Sequence, residues 1–241
     1  MNILITGGKG HLGSALAKHV SSQGHSVVAL GKDELDVRSL HDVDKHIREP
    51  IDVVINCAGV LSIPCESDHR LAWDTNVDGA INVAFTCKRR DVRMVHVSSD
   101  YVFDGELGNY KEDEPPSPIN YYGFTKAQAE LATECEVGWA NLLTLRAPFR
   151  YDGPWPYKKV FCDQWISGRW MSEVVPDVAR AALDADLTGI LHIGGPKVNV
   201  LEMARTVSPD VESCTRDCFN VIRVPRDVSL DSSRWKEYLS L

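Results

Sequence analysis

The stretch MNILITGGKGHLG, residues 1–13, decides the fold. NILIT (2–6) is a short apolar run of strand character, and glycines follow at 7, 10 and 13. The apolar periodicity of Leu12, Leu16 and Val20 then predicts a helix to about Ser22. A strand that turns through glycines directly into a helix presents backbone amides at the helix N-terminus, where a pyrophosphate can sit. Only glycine lets backbone come that close, and Gly13 also serves close helix–strand packing. The apolar core before the glycines is four residues long, which predicts a strand and not a signal peptide.

Outward from this turn the pattern repeats. SVVAL (26–30), DVVINC (52–57), RMVHVSS (93–99) and NLLTLRA (141–147) are predicted strands. Helical stretches are predicted over 39–48, 74–89, 121–134, 177–185 and 200–207, and a strand and turn over 189–195. Continuous apolar strands alternating with helices mean a parallel sheet covered on both faces. The fold expected is α/β, a Rossmann-type doubly wound parallel sheet with a small, reduced C-terminal region. Residues 1–149 are assigned to the dinucleotide-binding domain and 150–241 to substrate binding, with 189–195 returning to the main sheet. Residues 105–119 are acidic and proline-rich and read as a surface loop, and 150–159 as irregular.

Of the 241 residues, 44% are hydrophobic and 25% charged, which is ordinary for a globular chain. The net charge of −8 argues against nucleic acid or a membrane surface as partner. No apolar run is long enough for a membrane span. Seven scattered cysteines, an odd number, suit reduced thiols and a cytoplasmic location. Cys214 and Cys218 stand at helical spacing, but no second pair completes a metal site, so no metal is expected. At the end of the second strand, Lys32 favours the 2′-phosphate of NADPH, while the neighbouring Asp33 leaves NADH open.

The stretch NYYGFTK (120–126) supplies candidate chemistry. At ~100° per residue, Tyr122 and Lys126 share a helix face, about 40° apart, whereas Tyr121 points elsewhere. A lysine ammonium and a positively charged nicotinamide both favour the tyrosine's phenolate. Ser98 and Ser99 end a strand at the carboxyl edge, where ligands bind in such sheets. Tyrosine, lysine and serine around a dinucleotide point to hydride transfer at a carbonyl or alcohol.

At VHVSSDYVFDG (95–105), YGFTKAQAE (122–130), GGKGHLG (7–13) and INCAG (55–59), the chain resembles the extended short-chain dehydrogenase/reductase superfamily. It is most similar to the branch of dTDP-4-dehydrorhamnose reductase-like proteins. LRAPFRY, CDQWISG, LHIGGP and PRDVSLDSSR extend the likeness over nearly the whole chain. The resemblance implies reduction of a 4-keto nucleotide sugar by NADPH, with hydride to C4 and Tyr122 as proton donor. It implies that Lys126 binds the nicotinamide ribose, that Ser99 touches the sugar oxygen, and that Asp100 lies beside the substrate. It further places Gly10, His11 and Leu12 at the pyrophosphate, Asp36 and Val37 near the adenine, and Ala58, Gly59 and Val60 along the cofactor.

Two departures stand out. Only about ten residues separate LRAPFRY from CDQWISG, fewer than in the family, so the substrate pocket is expected to be smaller or differently closed. Phe149 replaces a family tryptophan, keeping an aromatic wall and losing a donor. Tyr101 after Asp100 disfavours dehydration, which takes an aspartate–glutamate pair there, and the absence of a cysteine beside Ser99 disfavours epimerisation. A non-catalytic, dinucleotide-binding regulatory subunit of the same fold is the alternative. Trp155, Tyr157, Phe161, Trp165 and Trp170 cluster in the second half. They read as a small core or a homodimer contact ahead of a wall that stacks on substrate. Arg223 and Arg226 fit either a substrate diphosphate or solvent.

Overall fold

In the computed structural model, which describes residues 1–48 and 50–240, strand β1 (Asn2–Thr6) is the second strand from one edge of a six-stranded sheet. Its alternation sorts the core. Ile3 and Ile5 face one layer with Leu16 and Val20 of helix α1 (His11–Ser22), while Leu4 faces the other layer. Strand β2 (Ser26–Leu30) pairs with one side of β1 and β3 (Val53–Asn56) with the other, both parallel. Between them runs α2 (Leu40–His46), capped by the Ser39 hydroxyl, which accepts the Asp42 amide at 3.2 Å.

Helices α3 (Ser62–Ser67) and α4 (His69–Trp73) lead through a π-helical turn (Asp74–Asp78) into α5 (Gly79–Arg90). The predicted helix over 74–89 is therefore the second part of a longer helical run. Its entry is widened by one residue per turn, a distortion common near functional sites. Strand β4 (Arg93–Ser98), helix α6 (Tyr121–Val137) and strand β5 (Leu142–Arg146) follow, and all five residues of β5 are buried. Burial of both faces explains why these strands read as unbroken apolar runs rather than alternating ones.

The second half is built of short pieces: β6 (Phe149–Arg150), β7 (Lys159–Phe161), β8 (Trp165–Ile166) and β9 (Arg169–Trp170). Then come α7 (Met171–Leu183), β10 (Gly189–His192), β11 (Val198–Asn199), α8 (Val200–Arg205), β12 (Glu212–Cys214) and α9 (Ser233–Leu239). Strand β10 pairs in parallel with β5, giving the sheet order β10-β5-β4-β3-β1-β2. It forms the first part of the strand and turn expected over 189–195.

Helix α7 begins six residues before the predicted Asp177 and runs through Pro176. Val174, Val175, Val178 and Ala182 of this helix all pack into the core beneath the sheet. Each buried valine contributes about 1.5–3 kcal/mol, so together they outweigh the ~3 kcal/mol cost of an internal proline. No helix among the described residues is long and apolar enough to cross a membrane.

Candidate active site

Strand order reverses between β1 and β3, and at such a switch point a doubly wound sheet opens a crevice at its carboxyl edge. Gly7 stands there with φ +62°. A Cβ on Gly7 would come within 2.8 Å of the Ala58 backbone, and one on Gly13 within 2.4 Å of the Gly7 carbonyl. At Gly10 it would meet only the Gly7 oxygen, at 3.1 Å, so that side of the turn is open. Gly10 caps α1 with no side-chain partner, leaving the first-turn amides of His11, Leu12 and Gly13 directed at the crevice. His11 is exposed, and its ring lies 4.1 Å from that of Tyr151, so the shortened segment after β6 folds back onto the turn.

At the end of β2, Lys32 is exposed. The acidic group fixed there is Glu34 and not Asp33: it accepts the Gly31 amide at 3.0 Å and pairs with Lys9 at 2.9 Å. Asp36 is tied to Arg38, whose guanidinium holds the carboxyl below its ordinary range. Val37 is buried, and its carbonyl accepts from Asn82 at 2.9 Å. In the loop after β3, Val60 is fixed by a residue the sequence reading passed over. Asn76, 1% exposed and inside the π turn, accepts the Val60 amide at 2.7 Å and donates to the Thr125 hydroxyl at 2.9 Å. It therefore couples the Ala58–Gly59–Val60 loop to the helix bearing Tyr122 and Lys126. An asparagine in a helical run otherwise read for its apolar face was the available signal.

Helix α6 brings Tyr122 and Lys126 to the end of β4. Its first turn is held by Asn120, which accepts the Gly123 amide at 2.8 Å, and by Glu66, which accepts the Tyr121 amide at 2.7 Å. Gly123 is required because a Cβ there would lie 2.0 Å from the Tyr101 carbonyl oxygen. Tyr121 turns away and stacks on His69, ring centroids 3.8 Å apart. Tyr122 faces Ser99 and lies edge-on to Tyr101 at 6.0 Å. Ser98 points into the interior, 5% exposed with its hydroxyl unpartnered, so Ser99 is the serine on the site side.

The electrostatics differ from the expectation of a lysine-stabilised phenolate. Lys126 donates to the Val97 carbonyl at 2.6 Å. Burial pushes the Tyr122 phenol up, and the Ser99 hydroxyl only partly offsets it. Tyr122 is thus held protonated, with a proton to give. Burial lowers Lys126 to about 8, against the upward pull of Glu130. Glu130, one turn further along α6, is locked to Arg146 by bonds of 3.0 and 2.7 Å, and Arg146 also meets His192 at 3.2 Å. This buried network ties α6 to β5 and β10, and sequence periodicity gave no hint of it. Beneath the site, Thr6, Asn56 and His96 form a buried polar row across three strands, linked at 2.5 and 3.2 Å.

Asp100 is 5% exposed and adjoins Ser99. Phe149 is half-buried and packs on the core beside Tyr151, ring centroids 6.3 Å apart. Gln164 of the CDQWISG stretch donates to the Tyr101 hydroxyl at 3.3 Å, which brings the second half of the chain against the site. Trp155 and Trp170 pack on the C-terminal core cluster, whereas Tyr157 is exposed. Arg226 covers the Trp165 ring at 5.7 Å, and Arg223 holds Asn120 through its carbonyl at 2.9 Å.

Glycine turn, switch point and tyrosine–lysine helix together define a Rossmann-type nucleotide-binding protein of the extended short-chain dehydrogenase/reductase kind. More narrowly, the RmlD substrate binding domain matches residues 1–164, and the chain belongs to that family. It is similar to the dTDP-4-dehydrorhamnose reductase of Aggregatibacter actinomycetemcomitans, 33% identical over 200 residues, covering 80% of this chain and 62% of that protein. The dTDP-4-keto-6-deoxy-D-glucose reductase of Streptomyces niveus is 36% identical over 205 residues, covering 78% of this chain and 71% of that protein. In fold, the chain matches the dTDP-4-dehydrorhamnose reductase of Bacillus anthracis in complex with NADP. The TM-score is 0.89 at 20% identity, over 99% of this chain and 93% of that one. The chain spans under two thirds of the Aggregatibacter protein, and about half the length of several other curated relatives.

Proposed function

We propose that this chain is an NADPH-dependent reductase of a 4-keto nucleotide sugar, dTDP-4-dehydrorhamnose reductase-like, working in the cytoplasm. The observation that carries the reading is the meeting of Ser99 and Tyr122 at the carboxyl edge of the sheet, with Lys126 one turn behind. The glycine cradle fits a dinucleotide: Gly7, Gly10 and Gly13 leave room for a pyrophosphate where side chains would collide or block. Lys32, exposed just after β2, favours the 2′-phosphate, and NADH is the weaker partner. When bound, the cofactor supplies the hydride, to C4 of the sugar.

This chain's residues do the rest. The amides of His11, Leu12 and Gly13 bind the pyrophosphate, Asp36 and Val37 flank the adenine, and Ala58, Gly59 and Val60 line the cofactor. Lys126 holds the nicotinamide ribose. Ser99 holds the carbonyl oxygen, and Tyr122, kept protonated by burial, gives that oxygen its proton. Asp100 and Phe149 border the sugar. In this reading residues 1–149 carry cofactor and chemistry, while 150–241 shape the substrate pocket.

The test is NADPH oxidation by the purified chain on enzymatically generated dTDP- and UDP-4-keto-6-deoxy sugars. Turnover on one of them is expected. Tight NADPH binding with no turnover across such a panel would favour the regulatory-subunit reading, for which the short segment between β6 and Gln164 speaks.

A further inference from the structure

Ser99 has one proton, and its neighbours decide where that proton points. The Ser99 hydroxyl oxygen accepts the Tyr101 amide at 3.2 Å, lies 3.1 Å from Oδ1 of Asp100, and has the Tyr122 phenol as a third polar neighbour on the site side. Asp100 is 5% exposed, and its Oδ2 is buried with no hydrogen-bond partner. An ionised carboxylate in that position would leave a charged oxygen without solvent or donor, a costly arrangement. A neutral acid leaves only a carbonyl-type oxygen unpaired.

The two protonation states give Ser99 opposite roles. Beside a carboxylate, which only accepts, the Ser99 O–H must donate to Asp100 and has nothing left for a substrate oxygen. Beside a neutral acid, Asp100 donates and the Ser99 O–H is free. Only the second state lets Ser99 support a carbonyl oxygen as negative charge builds on it.

Building on the reductase reading, we propose that Asp100 is a positioning residue that works as a neutral acid. It donates from Oδ1 to Ser99 Oγ and thereby commits the Ser99 proton to the reacting carbonyl. Burial raises the Asp100 carboxyl, outweighing the downward pull of the nearby Arg150 guanidinium at the end of β6, of the Ser99 hydroxyl and of the Asp100 and Tyr101 amides. The other titratable groups facing it, Tyr101 on its own turn and Tyr122 on α6, are both pushed up by burial and stay neutral. Arg150 is therefore the one opposing charge among them.

The experiment compares Asp100→Asn and Asp100→Ala with the wild type, in turnover of the 4-keto sugar nucleotide against pH. D100A loses the donor and should lower kcat about 10- to 100-fold, the usual range for an orienting partner. D100N keeps a donor in the same place and should recover most of that loss. Read in kcat at saturating NADPH, so that loss of the Lys126 charge does not act through cofactor binding, the wild type should lose activity as rising pH ionises Asp100, and in D100N this alkaline fall should move to higher pH. A merely structural role would not move that limb. No recovery in D100N, or recovery with an unmoved limb, would overturn the proposal.

Should the wild type turn over no sugar at all, the reductase reading fails and the protonation of Asp100 is read directly. In a wild-type minus D100N infrared difference spectrum at pH 7, a carboxylic-acid carbonyl band supports the neutral acid. Carboxylate bands alone overturn it.

Discussion

Lys126 is a buried cation whose ammonium has one backbone carbonyl as partner, and that gives the molecule a pH signature. Burial lowers its pKa from 10.5 to about 8. Below pH 8 the lysine is charged in both folded and unfolded chains, and its burial opposes folding. Between 8 and 10.5 the unfolded chain still holds the proton while the folded chain has released it, so stability from this group rises with pH. Relative to Lys126→Met, the wild type should gain up to about 3 kcal/mol between pH 7.5 and 10.5. Urea unfolding of both proteins at several pH values measures this, and a constant difference would contradict it. At this scale the sequence was partly legible. Tyr122, Lys126 and Ser99 could be picked out because spacing and strand ends are local properties. Asn76 and the Glu130–Arg146 pair could not, because their partners lie on other elements and only the fold brings them together.

Among the elements, α6 matters most to the chemistry, and its seat is the contact between Gly123 and the Tyr101 carbonyl. Gly123→Ala puts a methyl group against backbone that cannot swing away, so the helix must shift from the turn that carries Ser99. Overpacking of this kind costs about 1–3 kcal/mol. We expect a Tm lower by several degrees and at least a tenfold loss of turnover, measured by thermal unfolding and NADPH oxidation. Unchanged activity would show that the seat does not set the catalytic geometry. The predicted helices and strands of the first half mostly agree with those observed, because buried parallel strands announce themselves as apolar runs. The start of α7 was missed because Pro176 reads as a boundary, and the π turn because apolar spacing does not register one widened turn.

For the whole molecule, the sheet order β10-β5-β4-β3-β1-β2 explains why one edge gathers everything. The reversal of strand order between β1 and β3 opens the crevice, Gly7 and Ala58 meet at its base, and β4 delivers Ser99 beside α6. The glycine turn and strand alternation made this architecture readable in advance. The second half was less so. Outside β10 its strands are two or three residues long and pair with segments distant in sequence, as β12 does with β7 and β11 with β8. Short pieces carry little periodicity, so their pairing follows from packing on Val102, Phe103 and Tyr110 rather than from local pattern.

In the proposed reductase, Tyr122 is the acid at this cofactor cradle. The most direct measurement is NADPH affinity by calorimetry and turnover on a 4-keto sugar nucleotide, in the same preparations of wild type and Tyr122→Phe. The account predicts equal NADPH affinity within about twofold, and turnover in Y122F reduced by about 10²–10⁴-fold, the range for loss of a general acid. Turnover surviving in Y122F, with the cofactor bound, would contradict it.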